Sequence, residues 1–137
     1  YDSKENVIST ADLAKQISTF EYNGTNDSTK NTDPKGNSFK YTYDSKHNIT
    51  QATTASNVVY NFKYDSNGNP VTAQVGDSSL SMFSSAGYTH DGNYMSSLTD
   101  SSGNTTKFNY DQSKGTLINS TDANGKTTNY TYDKMTG

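Results

Sequence analysis

Asp33-Pro34-Lys35-Gly36-Asn37-Ser38-Phe39-Lys40-Tyr41-Thr42-Tyr43-Asp44 holds a turn, a strand and the start of a second turn in one short stretch. Asp at the first turn position accepts hydrogen bonds from nearby backbone, Pro presets the second, and Gly tolerates positive φ at the end. That chemistry suits a three-residue hairpin loop built on a type I turn with a bulge glycine. Beyond it Phe39, Tyr41 and Tyr43 fall on one face of an extended segment, with Lys40, Thr42 and Asp44 on the other. Period-two alternation with aromatic enrichment predicts a strand.

Working outward, the same pattern returns along the chain. An aromatic-x-Tyr-Asp unit stands at Tyr41–Asp44, Phe62–Asp65, Phe108–Asp111 and Tyr130–Asp133, and Tyr1-Asp2 opens the sequence in the same register. Phe20-Glu21-Tyr22-Asn23 is a copy with Asn for Asp, and Tyr88-Thr89-His90-Asp91 reads as a copy with His for the second Tyr. The copies end at 2, 23, 44, 65, 91, 111 and 133, so the first three steps are equal. The longer step from 65 to 91 contains Gly76-Asp77-Ser78-Ser79, read as an insertion at a turn. Asp33-Pro34-Lys35-Gly36, Asp100-Ser101-Ser102-Gly103 and Asp122-Ala123-Asn124-Gly125 mark the other turn of each repeat, with degenerate copies at Asp12 and Thr54. A short strand carrying Ile49, Val71, Leu98 or Leu117-Ile118 follows each Tyr-Asp turn, so one repeat is a β-hairpin. Residues 9–20 admit two readings. Leu13, Ile17 and Phe20 stand at helical spacing behind a capping Ser9 or Thr10, whereas the equal steps put Asp12 in a turn and favour a hairpin.

Composition sets the limits. Only 28% of the 137 residues are hydrophobic, Ser, Thr and Asn dominate, and Leu, Ile, Val and Phe are scarce. Scarcity of those four signals disorder only when net charge is high. Here the charge is −3 and 11 Tyr supply apolar area with a polar tip. The expectation is an all-β antiparallel sheet of about twelve short strands with a thin aromatic core, the Phe/Tyr stripe held by cross-strand pairs. There is no Arg, and the pI is about 5.1. A phosphate-binding surface, and with it nucleic acid, is not expected. With no Cys, disulfides and zinc–thiolate sites are out of reach. No apolar run approaches the length of a membrane span, so no membrane insertion is expected, and no signal peptide is visible.

The five Tyr-Asp pairs and the Asp-x-x-Gly-to-Tyr-Asp blocks at 33–44, 100–111 and 122–133 resemble the Rhs/YD-repeat family, over about six repeats end to end. The Asn-, Thr- and Lys-rich flavour looks most like Gram-positive wall-associated protein A relatives. The resemblance implies consecutive hairpins joined into a long sheet that curls into a shell, enclosing a C-terminal effector in toxin members. Residues 1–137 then form a single array, with an imperfect insertion near 72–90, excised from a larger protein. The implied function is a structural shell segment of a secreted or wall-associated polymorphic toxin. Its partners would be the rest of its own chain, with self-association of the fragment through unpaired edges. An adhesive module binding cell-wall or host glycan through the Tyr stripe is the alternative.

No enzyme and no cofactor are expected. A catalytic carboxylate pair needs one special geometry, not one residue repeated in every copy. The repeated residues therefore read as structural: Tyr43, Asp44, Tyr64, Asp65, Tyr110, Asp111, Tyr132 and Asp133, with the turn residues Gly36, Gly103 and Gly125. Asp65-Ser66-Asn67-Gly68-Asn69 resembles the start of a calcium loop, but Pro70 and Gly76 stand where that loop needs Gly and Glu. His47 reads as a turn residue and His90 as a replacement on the aromatic stripe, neither with a nucleophile or ligand at a recognisable spacing.

Overall fold

A computed structural model of the chain describes residues 1–76, 80–83 and 85–133. The described residues form thirteen strands and no helix. They are β1 (Ser9–Ala11), β2 (Ile17–Tyr22), β3 (Ser28–Thr32), β4 (Ser38–Tyr43), β5 (Ile49–Thr53), β6 (Val59–Tyr64), β7 (Pro70–Val75), β8 (Leu80–Phe83), β9 (Ser85–Tyr88), β10 (Met95–Thr99), β11 (Thr105–Asp111), β12 (Thr116–Thr121) and β13 (Thr127–Asn129). Within each sheet, strands adjacent in sequence pair, in one sheet of order β1 to β8 and a second of order β13 to β9. Residues 9–20 are hairpin, with Ser9 opposite Thr19 and Ala11 opposite Ile17. The Gly76–Ser79 insertion lies, apart from Gly76, outside the described residues, as does Lys134.

Two compact units divide the chain, residues 1–62 with 75–77 and residues 63–74 with 78–137. In the first, Phe20, Asn31 and Phe39 stand in one cross-strand row, and Tyr41, Ala52 and Tyr60 in another. The stripe is half-buried rather than enclosed, and Phe39 keeps 44% of its surface exposed. In the second unit Ala73 and Ala86 are buried, and Tyr94 stacks on Tyr110 with ring centroids 4.9 Å apart. Among the described residues no large side chain is fully buried. This is the thin core that a chain poor in Leu, Ile, Val and Phe builds.

The turns alternate between two kinds. Those starting at Asp12, Asp33, Thr54, Asp100 and Asp122 close three-residue loops, the first residue pairing with the fifth (Asp33 N–H to Asn37 C=O, 2.9 Å; Asp100 N–H to Asn104 C=O, 2.9 Å). The strands leaving them pair without interruption. The Tyr-Asp turns close in the same way at Asp2, Asn23, Asp44 and Asp65, but the register then slips between Glu21 and Tyr22 and between Thr42 and Tyr43. Thr29 and Thr50 are the extra residues, and each is a β-bulge. The slips between Met95 and Ser97 and between Asn109 and Tyr110 repeat this, with Ser96 and Ile118 extra.

The step from Asp111 to Asp133 exceeds the first three by a single loop residue. Asp111 pairs with Thr116, not with a residue four ahead, so Gln112–Gly115 is a four-residue loop, and positive φ falls on Gly115. Elsewhere the fourth turn residue takes positive φ. It is Gly at 36, 68, 92, 103 and 125 but Glu5, Lys15, Asn26, His47 and Asn57 in the other turns.

The structure corrects the reading of residues 88–91. Tyr88, not His90, ends its strand in the Tyr place, and Thr89 stands in the Asp place, its N–H bonded to Tyr94 C=O at 2.8 Å. Thr89 Oγ1 accepts from Tyr94 N–H as a turn-opening carboxylate would. His90 is exposed in the loop. With Thr89 as the marker, the later copies end at 65, 89, 111 and 133, and the last two steps become equal.

Candidate functional site: a ladder of Asp turns and Tyr anchors

The repeated Asp residues share one local set of bonds. Asp44 Oδ1 accepts from the backbone N–H of Lys46 (2.8 Å) and Asn48 (3.0 Å), while Oδ2 accepts from Asn48 Nδ2 (3.0 Å). Asp65 makes the same bonds with Asn67 and Asn69, Asp33 with Lys35 and Asn37, Asp100 with Ser102 and Asn104, and Asp2 with Lys4 and Asn6. A short acceptor side chain bonding backbone two residues on replaces the hydrogen bonds that a loop would otherwise leave to water. The Asp of the Tyr-Asp pair and the Asp of the Asp-x-x-Gly turn are therefore one device. The Asn four residues on belongs to it in both kinds of turn, a signal the Tyr-Asp spacing alone does not carry.

These bonds all favour the ionised carboxylate. Side-chain donation from Asn6, Asn37, Asn48 and Asn104 is the main cause holding Asp2, Asp33, Asp44 and Asp100 below the ordinary 3.8. Asp65 is lowered chiefly by the Asn69 N–H, Asp111 by the Ser113 hydroxyl and Asp91 by the Thr89 hydroxyl.

One turn inverts the pair. Asn23 Oδ1 accepts from the Thr25 and Asp27 N–H groups, each at 2.9 Å, and Asn23 Nδ2 donates to Asp27 Oδ2 at 2.9 Å. The carboxylate now sits at the far end of the turn, where Asp27 Oδ1 meets His47 Nδ1 of the next Tyr-Asp turn at 2.6 Å. Donation from Asn23 is the first cause lowering Asp27, with His47 a further one. Equivalent rungs join other consecutive Tyr-Asp turns. Asn6 Nδ2 donates to Asn26 Oδ1 (3.2 Å), Lys4 Nζ to Gly24 C=O (2.7 Å), and Asn69 Nδ2 to Gly92 C=O (2.9 Å).

The second Tyr of the repeat is an anchor. Tyr22 donates to Val7 C=O at 3.0 Å, Tyr43 to Ser28 C=O at 2.7 Å, Tyr88 to Pro70 C=O at 2.9 Å and Tyr132 to Leu117 C=O at 2.9 Å. Each acceptor lies just past the preceding Tyr-Asp turn. Burial raises the Tyr43 and Tyr88 hydroxyls above the ordinary 10.0, with Asp27 and Asp65 respectively adding to it.

Gly36, Gly103 and Gly125 occupy the left-handed turn position at φ near +86°, +87° and +81°. Tyr110 meets Tyr94, while Tyr64 is half-buried at the end of β6 and Asp133 is exposed. No cluster of three His, Asp or Glu suited to a metal occurs among the described residues.

This repeating hairpin sheet has known counterparts. The RHS Repeat family model matches residues 22–59, the segment holding the Asn23, Asp33, Asp44 and Thr54 turns. Crystal structures of TcdB2-TccC3 share the fold. One superposes with a TM-score of 0.61 at 14% identity, covering 92% of this chain and 7% of that one. A structure of TcdB2-TccC3 without its hypervariable C-terminal region gives 0.62 at 14% identity, with 92% and 7% covered. This chain thus spans about 7% of the length of those chains. No curated protein sequence matches. The chain is thus all-β and antiparallel, built of consecutive strands, similar in fold to those structures and matched by the RHS Repeat model over residues 22–59.

Proposed function

We propose that this chain is a wall segment of an Rhs shell in a secreted toxin-like protein, a casing around a C-terminal effector, and has no catalytic role of its own. The observation that carries the reading is the fold likeness to TcdB2-TccC3 over 92% of the chain, in a protein with a hypervariable C-terminal region. The local chemistry supports it. The repeat carboxylates accept bonds from their own turns and the anchor hydroxyls donate to backbone of the preceding repeat, so the polar groups of the motif are spent on the sheet. On this reading Tyr43, Asp44, Tyr64, Asp65, Tyr110, Asp111, Tyr132 and Asp133, with Gly36, Gly103 and Gly125, are structural.

Limited proteolysis of the full-length protein that carries this segment tests the casing. A segment C-terminal to the repeats that resists protease until the sheet is unfolded supports the proposal. Cleavage of that segment at the rate of an unstructured chain under native conditions overturns it.

A further inference from the structure

Three Asn-Gly pairs occur, at 23–24, 67–68 and 124–125, and the fold sets them in different surroundings. We propose that Asn124-Gly125, and more slowly Asn67-Gly68, are sites of spontaneous deamidation, while the turn at Asn23 protects the third pair.

In the reaction the Gly backbone nitrogen attacks Asn Cγ and gives up its proton. The bond from Cγ to the side-chain amide nitrogen breaks, and ammonia leaves carrying a proton. The cyclic imide then takes up water at one of its two carbonyls and opens to Asp or isoaspartate. Nothing is oxidised or reduced, and water is the only co-reactant. The rate depends on freedom of the Asn side chain, on room around the Gly and on departure of the amide.

Asn124 meets all three conditions. It is the third residue of its turn, its side chain is exposed, and among the described residues that side chain makes no hydrogen bond. A Cβ built on Gly125 would meet nothing within 4 Å, so the glycine is open on its side-chain side, and its N–H has only the turn bond to Asp122 C=O (3.0 Å) to give up. Asn67 holds the same place in its turn, but its side chain lies against Gly92 of the next Tyr-Asp turn, where an added Cβ would collide with it. Asn23 opens its turn instead. Its Oδ1 is held by two backbone N–H groups and the Thr25 hydroxyl, and its Nδ2, the group that must leave, donates to the Asp27 carboxylate. Product formation there would also set a second carboxylate against Asp27.

Losing the charge-assisted bond to Asp27 alone slows the Asn23 reaction about tenfold relative to Asn124. At Asn124 an isoaspartate adds a main-chain atom inside a three-residue loop that Gly125 N–H and Lys126 N–H close onto Asp122.

The test incubates the full-length protein in mildly alkaline buffer and maps tryptic peptides by mass spectrometry, with isoaspartate methyltransferase labelling to place the product. The expected order is Asn124, then Asn67, then Asn23, with the three rates converging when the protein is unfolded in guanidinium. An Asp27→Ala variant should raise the Asn23 rate and leave Asn124 unchanged. Equal rates at the three sites in the folded protein, or an Asn23 rate insensitive to Asp27→Ala, would overturn the assignment.

Discussion

The two kinds of turn use the same internal bonds and differ in what lies beyond them. A Tyr-Asp turn is followed by a bulge, receives the anchor Tyr of the next repeat just past its end, and exchanges side-chain bonds with the next Tyr-Asp turn, as Asp27 does with His47. The side-chain bonds of the Asp33 and Asp122 turns stay within each turn. The difference shows that a repeat of identical local devices is tied together at one side of each hairpin, and that the tie is what Tyr adds to Asp.

Acid gives the largest expected effect, because it acts on both kinds of turn at once. Asp33 and Asp100 belong to one kind and Asp2, Asp44, Asp65 and Asp111 to the other, and all six are held below the ordinary 3.8 when folded. The unfolded chain therefore binds more protons as pH falls. The stability these groups supply is complete above the ordinary 3.8 and is lost as pH drops through the lowered folded values. Urea midpoints should be flat from about pH 7 to about pH 5 and fall steeply towards about pH 2. Hydrogen exchange in acid should open the amide of Asn37 before that of Asn69, whose turn keeps the Tyr88 bond to Pro70 C=O.

Truncation of one aromatic at each end of β4 comes next. Tyr43→Ala should cost about 2–3 kcal/mol and Phe39→Ala about 1 kcal/mol, both below the value for a fully buried ring because the stripe is half open. Urea melts giving equal losses would break the comparison. Removing only the anchor hydroxyl, as Tyr43→Phe, should cost about 1 kcal/mol because the half-buried Ser28 carbonyl loses its donor.

The smallest effects separate turn strain from the tie. Lys15 and His47 both sit at positive φ, 61° and 65°. Lys15→Gly should stabilise by about 0.5–1 kcal/mol through relief of the left-handed backbone. His47→Gly relieves the same strain but removes the bond to Asp27, so its net change should fall within about 0.5 kcal/mol of zero. Thermal melts of the two variants would show whether the rung contributes.

Much of the fold was legible because its devices are short. Asp33 through Gly36 names its own turn, and Phe39, Tyr41 and Tyr43 name their own face. The first hairpin emerged from the equal repeat steps although Leu13, Ile17 and Phe20 also fit a helix. The His90 position misleads because the Tyr-Thr pair at 88–89 lacks the carboxylate that marks the other copies, while Asp91 two residues on supplies one. Thr89 carries the function of Asp with a different atom, which a residue-type pattern cannot see.

What the sequence by itself determined is thus the turns and the alternation, since each rests on hydrogen bonds and sterics within about four residues. The tertiary structure alone decided where the Tyr hydroxyls and far-end turn side chains go. Tyr43 finds Ser28 fifteen residues back, Asp27 finds His47 twenty residues on, and Asn69 finds Gly92 twenty-three residues on. Those partners depend on the register of three successive strands and on the single bulge residue that shifts it, as Thr50 does opposite Tyr43. A one-residue slip would carry every such side chain to the other face, and only the assembled sheet rules that slip out.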